Sequence, residues 1–436
     1  MKKKVIICGA AGRDYHNFLV YFKDNPLYEV VCFTQTQIPD IEKRSFPKEL
    51  AGKHYKKDIP FYPEEQLPFL IKKYNVDEVF LCYSDLNHID VMHKASLILA
   101  NGATFSLLGP KDTQLTSKRP MIAVTAVRTG AGKSQTSRKV AWLIKQHGYK
   151  VVGIRHPMPY GDLKKQEVQR FASHADLKKH KCTIEEQEEY TPWIDMGIPI
   201  YAGVDYKKIL HQAEQEAELI IWDGGNNDFS FYKPDLHITV LDPHRPGHER
   251  LYYPGESNFL SADVIVINKE STAPKENIQH LMETIEQYNP KATVIHADSA
   301  IVASHPEDIR NKKVLVVEDG PTLTHGGMAY GAGVIAAQQY GGKIIDAERY
   351  AVGSIKQIYK KYTHLKKVLP AMGYSDQQIK ELQQTINRAE CDLVIDGSPV
   401  NLKKVIKTKK PIIDIKYTLQ EKGHPTLWDI IKGMLQ

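Results

Sequence analysis

The stretch Val124–Arg138, VTAVRTGAGKSQTSR, places two glycines, a lysine and a hydroxyl between an apolar run and a segment of helical spacing. That order suits a phosphate cradle. Backbone amides of a glycine-bearing turn converge on phosphate oxygens, the lysine reaches the terminal phosphates, and the hydroxyl takes a magnesium ion. Gly130, Ala131, Gly132, Lys133, Ser134 and Gln135 are the candidate nucleotide-binding residues. Val127 stands where the usual pattern begins with glycine, so the loop should start differently. Arg128 sits where a second cation could stabilise a transferred phosphoryl group, within one subunit or across two, or simply lie on the surface near phosphate.

A magnesium site also needs a carboxylate at the end of a neighbouring strand. ELIIWDGGNND supplies Asp223 after an apolar run, with Asn226, Asn227 and Asp228 extending the polar tip. Ser134 and Asp223 are thus the expected metal ligands. VINKES places Asn268 and Lys269 at another strand end, as in loops that read guanine, yet the carboxylate that would contact the base is replaced by Ser271. ATP is the expected nucleotide, with GTP open.

Three loops carry residues suited to an anionic acceptor. IRHPMPYGD offers Arg155, His156 and Asp162, with Arg170 downstream. LDPHRPGHER offers His244, Arg245, His248 and Arg250 on a segment stiffened by Pro243 and Pro246. VVEDGPTLTHGG offers Glu318, a third candidate metal ligand, with Asp319, Thr322, Thr324 and His325. Lys133, Arg128, Asp223, His156, His244 and Arg245 form the expected catalytic set. Arg155, His156, Arg170, His244, Arg245, His248 and His325 form the expected substrate clamp. A solvated basic loop is the plainer alternative for the arginine and histidine segments, and helix capping for Glu318. Gly9 and Gly12 in CGAAGRDYHNF suggest a dinucleotide turn, but the next strand ends in VVCFTQTQ without the ribose-binding carboxylate. Arg13, Asp14, His16, Ser84 and Asp85 could bind an anion instead, or shape a turn.

The elements that must hold these loops are short apolar runs alternating with helical stretches, the pattern of parallel strands with crossover helices. The expected fold is α/β: a Rossmann-like domain over 1–117, a P-loop NTPase core over 118–308, and an α/β extension over 309–436 that could continue the core. At 436 residues, 42% hydrophobic and 25% charged, the chain is long enough for several buried cores. Its net charge of +6 is dispersed, which favours small anionic substrates over nucleic acid. No apolar run is long enough to span a bilayer and no signal region follows MKKK, so a cytoplasmic protein is expected. The 5 cysteines lack paired spacing, pointing to neither disulfides nor zinc.

GAAGRDYHNF, VRTGAGKSQTSR, IRHPMPYGDL, WDGGNNDF, DPHRPGHE, VEDGPTLTHGGM and AVGSI together resemble the cyclic 2,3-diphosphoglycerate synthetase family, whose members are also described as P-loop GTPases. The likeness spans essentially the whole chain, with the motifs in the same order. It implies an ATP- and magnesium-dependent ligase that activates one phosphate of 2,3-diphosphoglycerate and closes an intramolecular phosphoanhydride. It also implies a homodimer with the N-terminal domain placed over a P-loop core. A nucleotide-driven switch or metallochaperone is the alternative from another class; the histidine and arginine loops speak against it.

Overall fold

The computed structural model describes the chain except residues 1, 10–11, 37–43, 157–160, 226, 325–328, 366, 372–375, 399–401 and 436. His325 and Asn226 therefore lie outside the described residues. The chain forms a mixed α/β structure of parallel sheets, divided into two compact units. One comprises Met1–Asp176, Met196–His296 and Gly423–Gln436; the other comprises Leu177–Asp195 and Ala297–Lys422.

The first unit holds two sheets. The N-terminal one has six strands in the order Ser45–Phe46, Ile59–Pro63, Tyr28–Gln35, Lys3–Cys8, Glu78–Leu81 and Thr104–Ser106. All pairings are parallel except that of the edge strand Ser45–Phe46. Tyr15, Phe18, Phe33, Phe46 and Phe61 fill one face with edge-on and tilted ring contacts. This aromatic core fixes the short helix Arg13–Asn17, whose residues are all buried. Buried Cys8, Cys32 and Cys82 have their thiol pKa values pushed up by burial, and no described cysteine is in a disulfide.

The second sheet of this unit runs Val168–Phe171, Ile200–Gly203, Val151–Ile154, Leu219–Trp222, Met121–Ala126, Leu236–Leu241, Val264–Ile267, then the start of Thr293–Ala303. Only Val168–Phe171 is antiparallel to its neighbour. Met121–Ala126 is buried along its whole length, because helices cover both faces of such a sheet and a continuous apolar run is what fits there. The helix Lys133–Gln146 follows it, burying Val140, Ala141 and Ile144. The C-terminal helix Leu427–Leu435 packs beside that helix, with the Trp428 ring stacked 3.5 Å from the His147 ring. A small antiparallel ladder, Leu86–Asn87 against Tyr252–Tyr253, ties the N-terminal portion to the P-loop portion.

The second unit is built on Lys313–Asp319, which pairs in parallel with Leu393–Gly397, Val368–Ala371 and Lys343–Ile344. Leu393–Gly397 pairs in turn with Ile412–Lys422. Among the described residues, no helix is long and apolar enough to cross a membrane.

Phe33→Ala should remove the ring at the centre of the N-terminal aromatic core and destabilise that portion by about 3–5 kcal/mol. Urea denaturation followed by tyrosine fluorescence would measure it, and a loss below about 1 kcal/mol would contradict this packing.

Candidate nucleotide site

Sheet order brings the site together. The P-loop strand Met121–Ala126 lies between Leu219–Trp222 and Leu236–Leu241, so Asp223 and Asp242 emerge on either side of the loop. One strand further out, Val151–Ile154 delivers Arg155 and His156, while Val264–Ile267 on the other side delivers Asn268 and Lys269. All of these lie at the carboxyl ends of parallel strands, where open α/β sheets bind ligands.

Asp223 is the centre of charge. Lys133 Nζ donates to both its carbonyl and its carboxylate, at 3.1 Å for Oδ1; Arg155 Nη1 reaches Oδ2 at 2.8 Å; and Ser137 Oγ also donates to Oδ1. Burial works to raise the carboxyl pKa, but the charges of Lys133 and Arg155 prevail and hold it below the ordinary range. The residue is 1% exposed and ionised, facing the P-loop lysine.

The loop is braced from outside. Three successive carbonyls, those of Thr129, Gly130 and Ala131, accept from Arg245 Nη2 at 2.9 Å, Lys269 Nζ at 2.6 Å and Asn268 Nδ2 at 3.0 Å. Asp242 anchors two of those donors, taking Lys269 at 2.9 Å and Arg245 at 3.0 Å. Gly132 begins the helix at φ 118°, a conformation a side chain would strain. Arg245 Nε and Nη1 have no hydrogen-bond partner among the described residues, leaving buried donors for an anion.

The first turn of the loop is held by the N-terminal portion. Asp85 accepts from Thr129 Oγ1 at 2.8 Å and pairs with Arg128 Nε at 2.8 Å. Arg128 also stacks 3.7 Å above the Tyr252 ring and contacts His248 Nδ1 at 3.3 Å. Asp85 adopts φ 66°, which aspartate tolerates better than most residues, and its amide donates to Tyr253 O.

Several expectations change. Asn268 and Lys269 hold P-loop carbonyls, a role set by the strand beside the loop. Arg170 makes a bidentate pair with Glu216 on the edge strand, with Nε at 2.8 Å and Nη2 at 2.6 Å, because its neighbour Ile200–Gly203 runs toward the helix carrying Glu216. His244 turns to Thr272 Oγ1 at 2.9 Å. Burial, with the charges of Arg128 and Arg245, lowers the His248 pKa to about 4, so this ring is neutral near pH 7 and no cationic clamp. Glu318 caps a helix instead of presenting itself as a metal ligand: its Oε1 accepts the amides of Gly331 at 3.0 Å and Val334 at 2.9 Å. Residues the sequence reading passed over are Asp242, Thr129 and Ser137. An aspartate directly after the apolar run LHITVL, matching the position of Asp223, was the available signal for Asp242.

Over 432 residues the chain is 60% identical to arginine synthetase ArcE of Thermococcus kodakarensis, covering 99% of this chain and 96% of that protein. The chain belongs to the arginine synthetase ArcE family. That name shares the synthetase type with the resemblance drawn from the motifs and specifies a different product. A shorter segment of 114 residues is 31% identical to a tetraacyldisaccharide 4'-kinase of Halothermothrix orenii, spanning 24% of this chain and 29% of the kinase. No protein-family profile matches the chain. Among solved structures, LpxK from Aquifex aeolicus in complex with ATP aligns over 85% of this chain and 98% of its own, at 12% identity and a TM-score of 0.43.

Asp85→Ala should release Arg128 and Thr129 and weaken ATP binding about tenfold, the worth of one charged hydrogen-bond set. Fluorescence titration would measure this, and unchanged affinity would show that the clamp does not shape the loop.

Burial raises the Glu318 pKa to about 7, against about 4.5 for an unburied glutamate. The folded form therefore binds more protons between those values, and the stability this group contributes is lost as pH rises from about 4.5 through 7. Glu318→Gln, which keeps the accepting oxygen, should flatten the fall in stability between pH 5 and 8. Equal pH slopes for the two proteins in chemical denaturation would refute this.

Proposed function

We propose that this chain is an ATP- and magnesium-dependent synthetase that forms arginine. The observation carrying the reading is the full-length 60% identity to an arginine synthetase, and the braced P-loop is its physical support. Arginine bears three nitrogens on its terminal carbon. A precursor one nitrogen short carries oxygen there, as a ureido group, and that oxygen is a poor leaving group. Transfer of a nucleotide γ-phosphoryl group to it turns the oxygen into a phosphate leaving group. Ammonia then adds to the carbon, phosphate departs with the C–O electron pair, and a proton is lost.

The chain's own residues suit that transfer. Lys133 moves from Asp223 to the terminal phosphates when nucleotide enters. Amides turned inward by the braced carbonyls bind phosphate oxygens, and Arg155 remains beside Asp223 to balance charge. The Ser134 hydroxyl and the ionised Asp223 carboxylate fit a magnesium ion, because hard oxygen donors are present and a cation already occupies the carboxylate in the form of Lys133 Nζ. Magnesium, when bound, neutralises charge on the phosphates. Arg128 and Arg245 lie near enough to the loop to join the cationic set.

A second reading follows from the seven motifs named above, in which the phosphoryl acceptor is 2,3-diphosphoglycerate and the product its cyclic phosphoanhydride. The cations Arg155 and Arg245 suit such an anion too. Purified protein with magnesium and either ATP or GTP, given citrulline and ammonium or 2,3-diphosphoglycerate, separates the two readings. Amino-acid analysis should show arginine formed in proportion to nucleotide cleaved, and Lys133→Ala should reduce the rate about 100-fold or more. A new phosphoanhydride resonance in phosphorus NMR without arginine would replace the first reading with the second.

A further inference from the structure

A second polar cluster lies in the same compact unit, beyond Asp223. Arg13 is 3% exposed, stacked 4.5 Å over the Phe229 ring and 6.0 Å from the Tyr253 ring. Its Nη2 donates to Leu108 O at 3.2 Å and the Tyr253 hydroxyl lies beside the guanidinium, but Nη1 is buried without a partner within hydrogen-bond distance among the described residues. Asp228, five residues after Asp223 in the chain and 5% exposed, bonds through Oδ2 to His156 Nε2 and is further favoured as a carboxylate by Ser84, whereas its Oδ1 lacks a partner within hydrogen-bond distance among the described residues. His156 Nδ1 and Asn258 Oδ1 are also buried without a hydrogen-bond partner among the described residues. The His156 ring stacks on Phe231 at 5.2 Å, and Phe231 stacks on His16 at 4.1 Å. Gly12 and Gly225 close on the two nitrogens of His156, where a Cβ would come within 2.6 and 2.1 Å.

Arg13 and Asp228 feel each other's charge, and the guanidinium is part of what keeps the carboxyl ionised against its burial. No hydrogen bond or ion-pair contact joins them, and each keeps a buried polar atom without a partner among the described residues. A buried pair that served the fold alone would close, since desolvation is repaid only by good hydrogen-bond geometry. Phe229 and Tyr253 lie against the guanidinium, and Phe231 lies against the His156 ring that binds Asp228. A buried cationic donor in one cluster with unpartnered anionic and amide acceptors is complementary to a zwitterion, and a ligand carrying only negative charge is repelled by the carboxylate.

We infer that Arg13, Asp228 and Asn258 form the site for the zwitterionic head of an amino-acid substrate, Arg13 taking the α-carboxylate and the two oxygens the α-ammonium. The side chain of that amino acid then extends toward Asp223 and the P-loop. The inference rests on the arginine-forming reading and adds to it the residues that recognise an amino acid as such.

Calorimetric titration of the full chain with L-arginine, with agmatine, which lacks the carboxylate, and with magnesium-ATP tests it. Arg13→Met should weaken L-arginine binding about 10- to 100-fold, while agmatine and ATP bind as to the wild type. Arg13→Lys keeps the charge without the planar fork, should show a smaller loss with the same selectivity, and decides the matter if Arg13→Met does not fold. Unchanged L-arginine binding, or equal weakening of L-arginine and agmatine, overturns the site while leaving the reaction intact. A wild-type protein that binds no L-arginine overturns the arginine-forming reading and the site with it.

Discussion

The arrangement depends on one buried carboxylate. Asp223 sits at the carboxyl edge of a sheet that excludes water on both faces, and an ionised group there is tolerable only beside compensating charge. Lys133 and Arg155 supply it from the two strands that flank Leu219–Trp222. Moving any of the three strands one position outward would strand a charge. The sheet order and the electrostatics of the site are therefore a single constraint.

A second layer of side chains decides how the loop presents itself. Each of three consecutive carbonyls is taken by a donor from a neighbouring strand end, and two of those donors share Asp242. Once the carbonyls are held outward, the amides between them can face a phosphate without a reorganisation cost at the moment of binding. The absence of the usual first glycine, with Val127 in its place, is consistent with a loop whose shape is imposed by partners. Asp85, from the N-terminal portion, completes the set by holding Arg128 and Thr129, so the two sheets of this unit share one site.

The cluster of Arg13 and Asp228 is organised differently. Around Asp223 each charge is met by an opposite one, whereas Arg13 and Asp228 each keep a buried polar atom without a partner among the described residues. Closed pairs suit a region that must keep its shape, and open ones suit a region that receives a ligand.

The sequence by itself determined the α/β class, the P-loop from Gly130 to Gln135 and the strand-end position of Asp223, because these follow from local apolar runs and residue spacing. It also placed Arg155, His156, His244 and Arg245 on loops, while His248 opens the short helix His248–Leu251. What each does there was decided by tertiary structure alone. Asn268 and Lys269 read as a base-recognition element until the neighbouring loop was seen to claim them; Arg170 found Glu216, and Glu318 found a helix terminus. Asp242, Asp85 and Arg13 gained their roles from residues 27 to 216 positions away in sequence. Hydrogen bonding and charge compensation act over a few ångströms in space and are blind to sequence distance. Only the folded sheet order could tell which donor reaches which acceptor.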